Sequence, residues 1–243
     1  MLKRRDYKAY AYLLPAFLLM AVFILFPVVN TIVTSFKEGY RFLTGKFIRL
    51  SVENYKDILQ DKTFLKAVLN TSFIAFICVP FSMLSALVVA LLLNSIQRLK
   101  GLFMTLFYLP QVTNVIAAGM VFALIFNNNF GLMNALLGLF KVDPVQWISG
   151  VGIAASRELY IQSYVRCLFV LFVYSVWSGL SLKVILFLGG LQNIRKDYYQ
   201  AARLDGTGRW KILRKITLPL LSPTTFYVFI TSVITAFKAY SAV

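Results

Sequence analysis

GGLQNIRKDYYQAARLDGTGRWKILRKITLPLLSP, residues 189–223, decides the fold. Long apolar runs stand on both sides of it, yet it carries seven Lys or Arg between Arg195 and Lys215. Such a segment cannot stay in hydrocarbon. It leaves a bilayer between two spans and folds as a structured loop. Residues 198–204 predict a short helix, with Ala201 and Ala202 forming a small, close-approach surface. Gly206 ends that helix, because glycine accepts backbone angles that other residues resist. Asp205 sits badly at the negative end of the first helix and is expected to cap a second one, with Thr207 as the rival cap. Trp210, Leu213 and Ile216 then recur at helical spacing, and Pro219 and Pro223 mark the return to apolar sequence.

The rest of the chain agrees with a membrane setting. Charged residues make up 14% of the sequence against about 25% in soluble domains, so the apolar runs are read as spans. The expected fold class is all-α, a polytopic transmembrane helical bundle forming one domain over residues 1–243 in contact with the lipid bilayer. The formal charge of +16 does not point to nucleic acid, since the basic residues sit in loops where topology and anionic lipid account for them. Histidine is absent and the two cysteines, Cys78 and Cys167, stand apart in apolar runs. No catalytic residue, metal site or disulfide framework is expected.

Five spans are predicted, at about 12–36, 64–93, 102–126, 167–191 and 220–243, with the loop over about 192–219. The N-terminus, with Lys3, Arg4, Arg5 and Lys8, is expected in the cytoplasm. No small-residue cleavage site follows the first apolar run, so it is read as a span and not as a signal peptide. Pro27 and Pro80 predict kinks. Residues 37–62 and 127–157 are the external segments, the latter with a short helix or, as the alternative, a re-entrant loop. Lys183 falls about 12 Å along a helix from the inner end of the fourth span and is expected to snorkel to the head groups.

Several strings together resemble a known family. Gln200-Ala-Ala-x-x-Asp-Gly206 followed by Ile216-Thr-Leu-Pro219 resembles the EAA loop of ABC importer permeases of the carbohydrate-uptake (sugar or glycerol-phosphate) type. Val52-Glu-Asn-Tyr55, Asn70-Thr71, Leu109-Pro110 with Asn114, Gly131-Leu-Met-Asn134 and Trp177-Ser-Gly179 stand where that family has similar residues. Two positions depart from its pattern: Gln200 replaces the usual Glu, and Arg195 a frequent Pro. The resemblance implies an ABC importer type I permease, binding-protein-dependent and in a bacterial inner membrane. It implies that Tyr199, Gln200, Ala201, Ala202, Asp205 and Gly206 contact a cytoplasmic ATPase dimer holding ATP and Mg on its own chains. It implies a second homologous permease subunit and an extracytoplasmic solute-binding protein as further partners. Trp177, Gly179, Phe237, Lys238, Tyr240 and Ser241 are the implied substrate path, with helix packing through Ser178, Gly179 and Ser181 as the competing account of that region. Lys238 would suit an anionic solute or a snorkel to the outer interface. Against the family, the chain is expected to be one span short at its C-terminus.

The sequence has no phosphate-binding G-x-x-x-x-G-K-[ST] string, so energy from ATP is expected on a separate chain. All nine carboxylates fall in loops or near span ends. A carrier driven by protons or sodium usually keeps one at mid-membrane, which makes a secondary transporter the weaker alternative. A truncated, non-transporting membrane subunit is the other.

Overall fold

The structure, a computed structural model, describes residues 6–96, 98–148 and 157–238. The chain forms two compact units, residues 1–68 and 69–243. Residues 1–5 of the basic N-terminus and 239–243 of the expected fifth span lie outside the described residues.

In the first unit, α1 (Tyr10–Ser35) is long and apolar enough to cross a membrane, and none of its most hydrophobic window is buried. Apolar surface on that scale suits lipid, not water. After it, β1 (Lys37–Glu38) and β2 (Arg49–Leu50) pair antiparallel, Glu38 opposite Arg49. Glycines at φ +64 (Gly39) and +63 (Gly45) turn the chain between the strands, in the left-handed region where a side chain is strained. Then comes α2 (Glu53–Gln60), a short helix within the expected external segment. Asn54 explains the Asn-Tyr pair: its Nδ2 donates to the carbonyl of Ser35 (3.0 Å), which the end of α1 leaves without a helical partner, and to that of Lys37 in β1 (3.1 Å). The Tyr55 and Ser35 hydroxyls lie 2.6 Å apart beside it.

The second unit is built on α3 (Lys62–Ser95), most of which belongs to it, α7 (Arg157–Gln192) and α9 (Arg209–Phe237). Along α3 the residues buried in the apolar core are Ala75, Val79, Met83, Ala86, Ala90 and Leu93, one stripe at helical spacing and rich in alanine. Small side chains let helices approach closely where apolar burial gives little drive in lipid. Val184, Phe187, Leu188 and Leu191 of α7 and Leu221 and Val228 of α9 complete this core.

Three long helices share one irregularity. Each has a wide π-type turn, at Ala21–Leu25, Ile74–Cys78 and Leu213–Thr217, closed by a bond to the fifth residue back. Each ends two residues before a proline: Pro27, Pro80 and Pro219. Proline lacks the N–H and its ring presses on the carbonyl four residues earlier, so widening the preceding turn relieves both. Pro219 therefore does not start a helix. α9 already begins at Arg209, and the second half of the basic loop is the leading end of the last long helix.

The region expected as one span over 102–126 is two helices, α4 (Lys100–Val112) and α5 (Val115–Ile125), bent by 99°. With 13 and 11 residues, neither alone reaches across a bilayer core of ~30 Å. The break is local chemistry. Thr113 and Asn114 are extended, and Asn114 Oδ1 accepts from the N–H groups of Ile116 (2.9 Å) and Ala117 (3.3 Å), capping α5. α6 (Leu132–Leu139) follows, and Asn134 on it ties the adjoining loops together: it bonds to the carbonyls of Asn128 and Val145, the Val145 N–H and the Trp147 indole.

Candidate functional site

Two places in the second unit are the candidate sites. The first is the basic loop. α8 (Lys196–Leu204) is amphipathic, with Ala202 buried and Gln200, Ala201 and Asp205 exposed. Its end is a closed turn: Gly206 sits at φ +65, its N–H donates to Arg203 O (3.0 Å), and the Thr207 N–H donates to Ala202 O (2.9 Å). This paired arrangement satisfies the last carbonyls of a helix and needs a left-handed residue at Gly206. Asp205 is thus the C-cap of the first helix and caps nothing beyond it; Gly208 precedes α9 without a side-chain cap, and Thr207 is engaged through its backbone in the turn. The helix dipole did not forbid this because Asp205 is exposed, where water screens the interaction. The Tyr199 hydroxyl lies 3.2 Å from Thr217 Oγ1, joining α8 to the start of α9. Around the turn, Leu204 is 90% exposed and Trp210 75%, a bulky apolar pair on a segment otherwise made for water.

The second place is a cavity of about 420 Å³ between α3, α4, α5, α7 and α9. That is within the range of small-molecule sites, about 300–1,000 Å³. Gly179, Tyr174 and Lys238 line it. Trp177 does not; it packs beside Phe122, ring centres 5.3 Å apart, in an aromatic group that also takes in Tyr174. Phe237 is exposed and not part of the lining, and Tyr240 and Ser241 lie outside the described residues.

Lys183 also lines this cavity and does not snorkel. It is buried, its Nζ donating to Ser82 Oγ of α3 at 2.5 Å, and Ser82 Oγ in turn donates to Val79 O at 2.9 Å. Gly179, one turn before it, makes the room: a Cβ there would stand 2.9 Å from Lys183 Nζ. Sequence reasoning missed Lys183, Ser82 and the α9 residues Thr231, Ser232 and Thr235 that share the lining. A lone lysine in an apolar run was the available signal; its direction around the helix was not.

Residues 59–243 match the family described as binding-protein-dependent transport system inner membrane component. The chain is 29% identical over 233 residues to the arabinooligosaccharides transport system permease protein AraP of Bacillus subtilis (strain 168), covering 95% of this chain and 69% of that protein. It is 29% identical over 244 residues to the trehalose/maltose transport system permease protein MalF of Thermococcus litoralis, covering 100% of this chain and 78% of that one. In fold it is similar to a bacterial ABC transporter involved in the import of the acidic polysaccharide alginate, with a TM-score of 0.76, 19% identity, and coverage of 97% of this chain and 75% of that one. The bundle of long apolar helices agrees with a membrane component, and by the match over residues 59–243 the chain belongs to the family of binding-protein-dependent transport system inner membrane components.

Proposed function

We propose that this multi-pass membrane protein is the permease subunit of an ATP-driven importer for a sugar or oligosaccharide, with its N-terminus in the cytoplasm of a bacterial cell. The observation that carries the reading is the α8 turn. A short helix closed at Gly206 by left-handed backbone, with Leu204 and Trp210 held out beside it, is a rigid knob between two spans. Tyr199, Gln200, Ala201, Ala202, Asp205 and Gly206 make or shape that knob, and a cleft in a cytoplasmic ATPase dimer would receive it. ATP and Mg belong to that partner. The Tyr199–Thr217 contact gives the knob a direct connection to α9, so a push on α8 reaches a helix that lines the cavity. Gln200 makes the contact through an amide where a carboxylate is usual, so no charge is needed there. A second homologous permease completes the path, and an extracytoplasmic binding protein delivers the solute; the binding protein is supported by the family description and by a similar alginate ABC transporter in complex with a periplasmic protein. A saccharide is supported by the names of the similar permeases.

The test is reconstitution of the permease pair and ATPase in proteoliposomes. Loaded binding protein should stimulate ATP hydrolysis and drive saccharide uptake. Hydrolysis and uptake that ignore the binding protein would contradict the reading.

A further inference from the structure

We propose that the saccharide carried through this cavity bears an anionic group (a carboxylate, sulfonate or phosphate) and that Lys183 is the cation that meets it. The inference rests on the importer reading and narrows its substrate.

Lys183 is 8% exposed, more than nine-tenths buried, and lines the cavity with Ser82 and Gly179, the two residues that stand at its ammonium. An ammonium has three N–H groups. One is spent on Ser82 Oγ, whose own hydrogen is already committed to Val79 O. Lys183 makes no ion pair among the described residues, whereas Glu38–Arg49, Glu53–Lys56 and Arg195–Asp197 pair in loops or short surface elements. All nine carboxylates of the chain stand outside the hydrophobic spans. A buried cation with only the Ser82 hydroxyl and the Cys78 thiol near it is costly, and such groups in membrane segments mark ion or substrate pathways. Methionine or leucine would fill the same volume without that cost. Gly179 keeps space open at the ammonium where any larger residue would push on it.

The remaining lining fits the other half of such a solute. Thr231 Oγ1 donates to Tyr227 O (2.8 Å) and Thr235 Oγ1 donates to Thr231 O (2.8 Å). With their hydrogens spent, these oxygens offer only lone pairs, which accept from sugar hydroxyls. Lys238 is a second cation on the same lining. Two cations, hydroxyl acceptors and no carboxylate among the described lining residues make a cavity for a polyhydroxylated anion.

The experiment uses the whole importer in its own cell. The gene is deleted and restored on a plasmid, and uptake is followed for matched probes: maltotriose and a triuronate, and glucose with its sulfonated and phosphorylated glycosides. The expected result is gene-dependent uptake of an anionic probe at least about tenfold above its neutral analogue. Lys183→Met should lower it about tenfold or more, at equal membrane abundance by immunoblot, while Lys183→Arg keeps most of it. Gene-dependent uptake of neutral probes at equal or higher rate, unaffected by Lys183→Met, would overturn the proposal and leave the importer reading standing. Gene-dependent uptake of no saccharide would overturn both. Should Lys183→Met fail to reach the membrane, the charge preference of the natural protein decides alone.

Discussion

Gly190 of α7 and Thr224 of α9 meet so closely that a methyl group does not fit between them. A Cβ on Gly190 would lie 2.7 Å from Thr224 Oγ1 and 2.8 Å from Leu221 Cδ1. Leu221 is fully buried in the shared core, so the neighbour cannot swing aside. Gly190→Val should therefore separate the two helices and cost about 1–3 kcal/mol, the usual penalty of overpacking. Gly189→Val, beside it, meets nothing within 4 Å and serves as the control. Thermal unfolding of the detergent-solubilised protein should show a lower midpoint for the first variant only; equal midpoints would mean that α7 and α9 do not pack as described.

Gly206 isolates a backbone effect. Nothing lies within 4 Å of a Cβ built there, so substitution changes only the preference for φ +65. Gly206→Val should cost about 1–2 kcal/mol of local order in the turn, and Gly206→Asn less, because asparagine tolerates the left-handed region. Purified importer should keep its subunits with Gly206→Val but lose uptake relative to ATP hydrolysis. Uptake equal to that of the unaltered protein would remove the turn from the coupling path.

Asn134 bonds through both ends of its amide. Its Nδ2 donates to Asn128 O and Val145 O, both at 2.9 Å, while its Oδ1 accepts from Val145 N at 3.1 Å and Trp147 Nε1 at 2.9 Å. Asn134→Ala should cost about 1–3 kcal/mol by stranding these groups. Asn134→Asp should cost as much or more, since a carboxylate would face two carbonyl oxygens. Trp147 fluorescence should shift to longer wavelength in both variants as the ring is released from Phe126 and Phe169. An unshifted spectrum would show that the loop holds without this residue.

The hairpin of the first unit should loosen in acid. Arg49 and, secondly, Ser51 bond to the Glu38 carboxylate and hold its pKa below the ordinary value. A carboxyl whose folded pKa is depressed adds stability that is present above its unfolded value, about 4.3. That stability is lost as pH falls through the lower, folded value. The Ile48 amide, which donates to Glu38 O, should lose hydrogen-exchange protection on acidification beyond the normal change in intrinsic rate. Glu38→Gln should not show this loss; identical pH dependence in the two proteins would contradict the role of the pair.

Much of this was legible because hydrocarbon imposes simple rules. Apolar length marked the long helices, and the seven cations of 195–215 could only lie outside the hydrocarbon, although four of them (Arg209, Lys211, Arg214 and Lys215) stand on the leading end of α9. Gly206 was readable because a left-handed turn has few other solutions. Harder to read were features decided by competition among neighbours. Asn114 overrules an apolar run by offering its side chain to two backbone N–H groups, which bends α4 from α5. Pro219 resembles a helix start until the wide turn before it is seen to absorb the ring. Lys183 has the composition of a snorkelling residue, and only its position around α7, opposite Ser82, turns it inward. The placement of Trp177 beside Phe122 likewise depends on α5 folding back after the break.

The contact between α8 and an ATPase is tested most directly by a single cysteine. Gln200 is exposed, and Cys78 and Cys167 can be replaced by alanine to leave Gln200→Cys as the sole thiol. A short bismaleimide applied to membranes from cells expressing the importer should join this residue to the ATPase, and ATP should alter the yield. A membrane-impermeant maleimide should not reach it in intact cells. Labelling of intact cells from outside, with no cross-linked ATPase, would contradict the account.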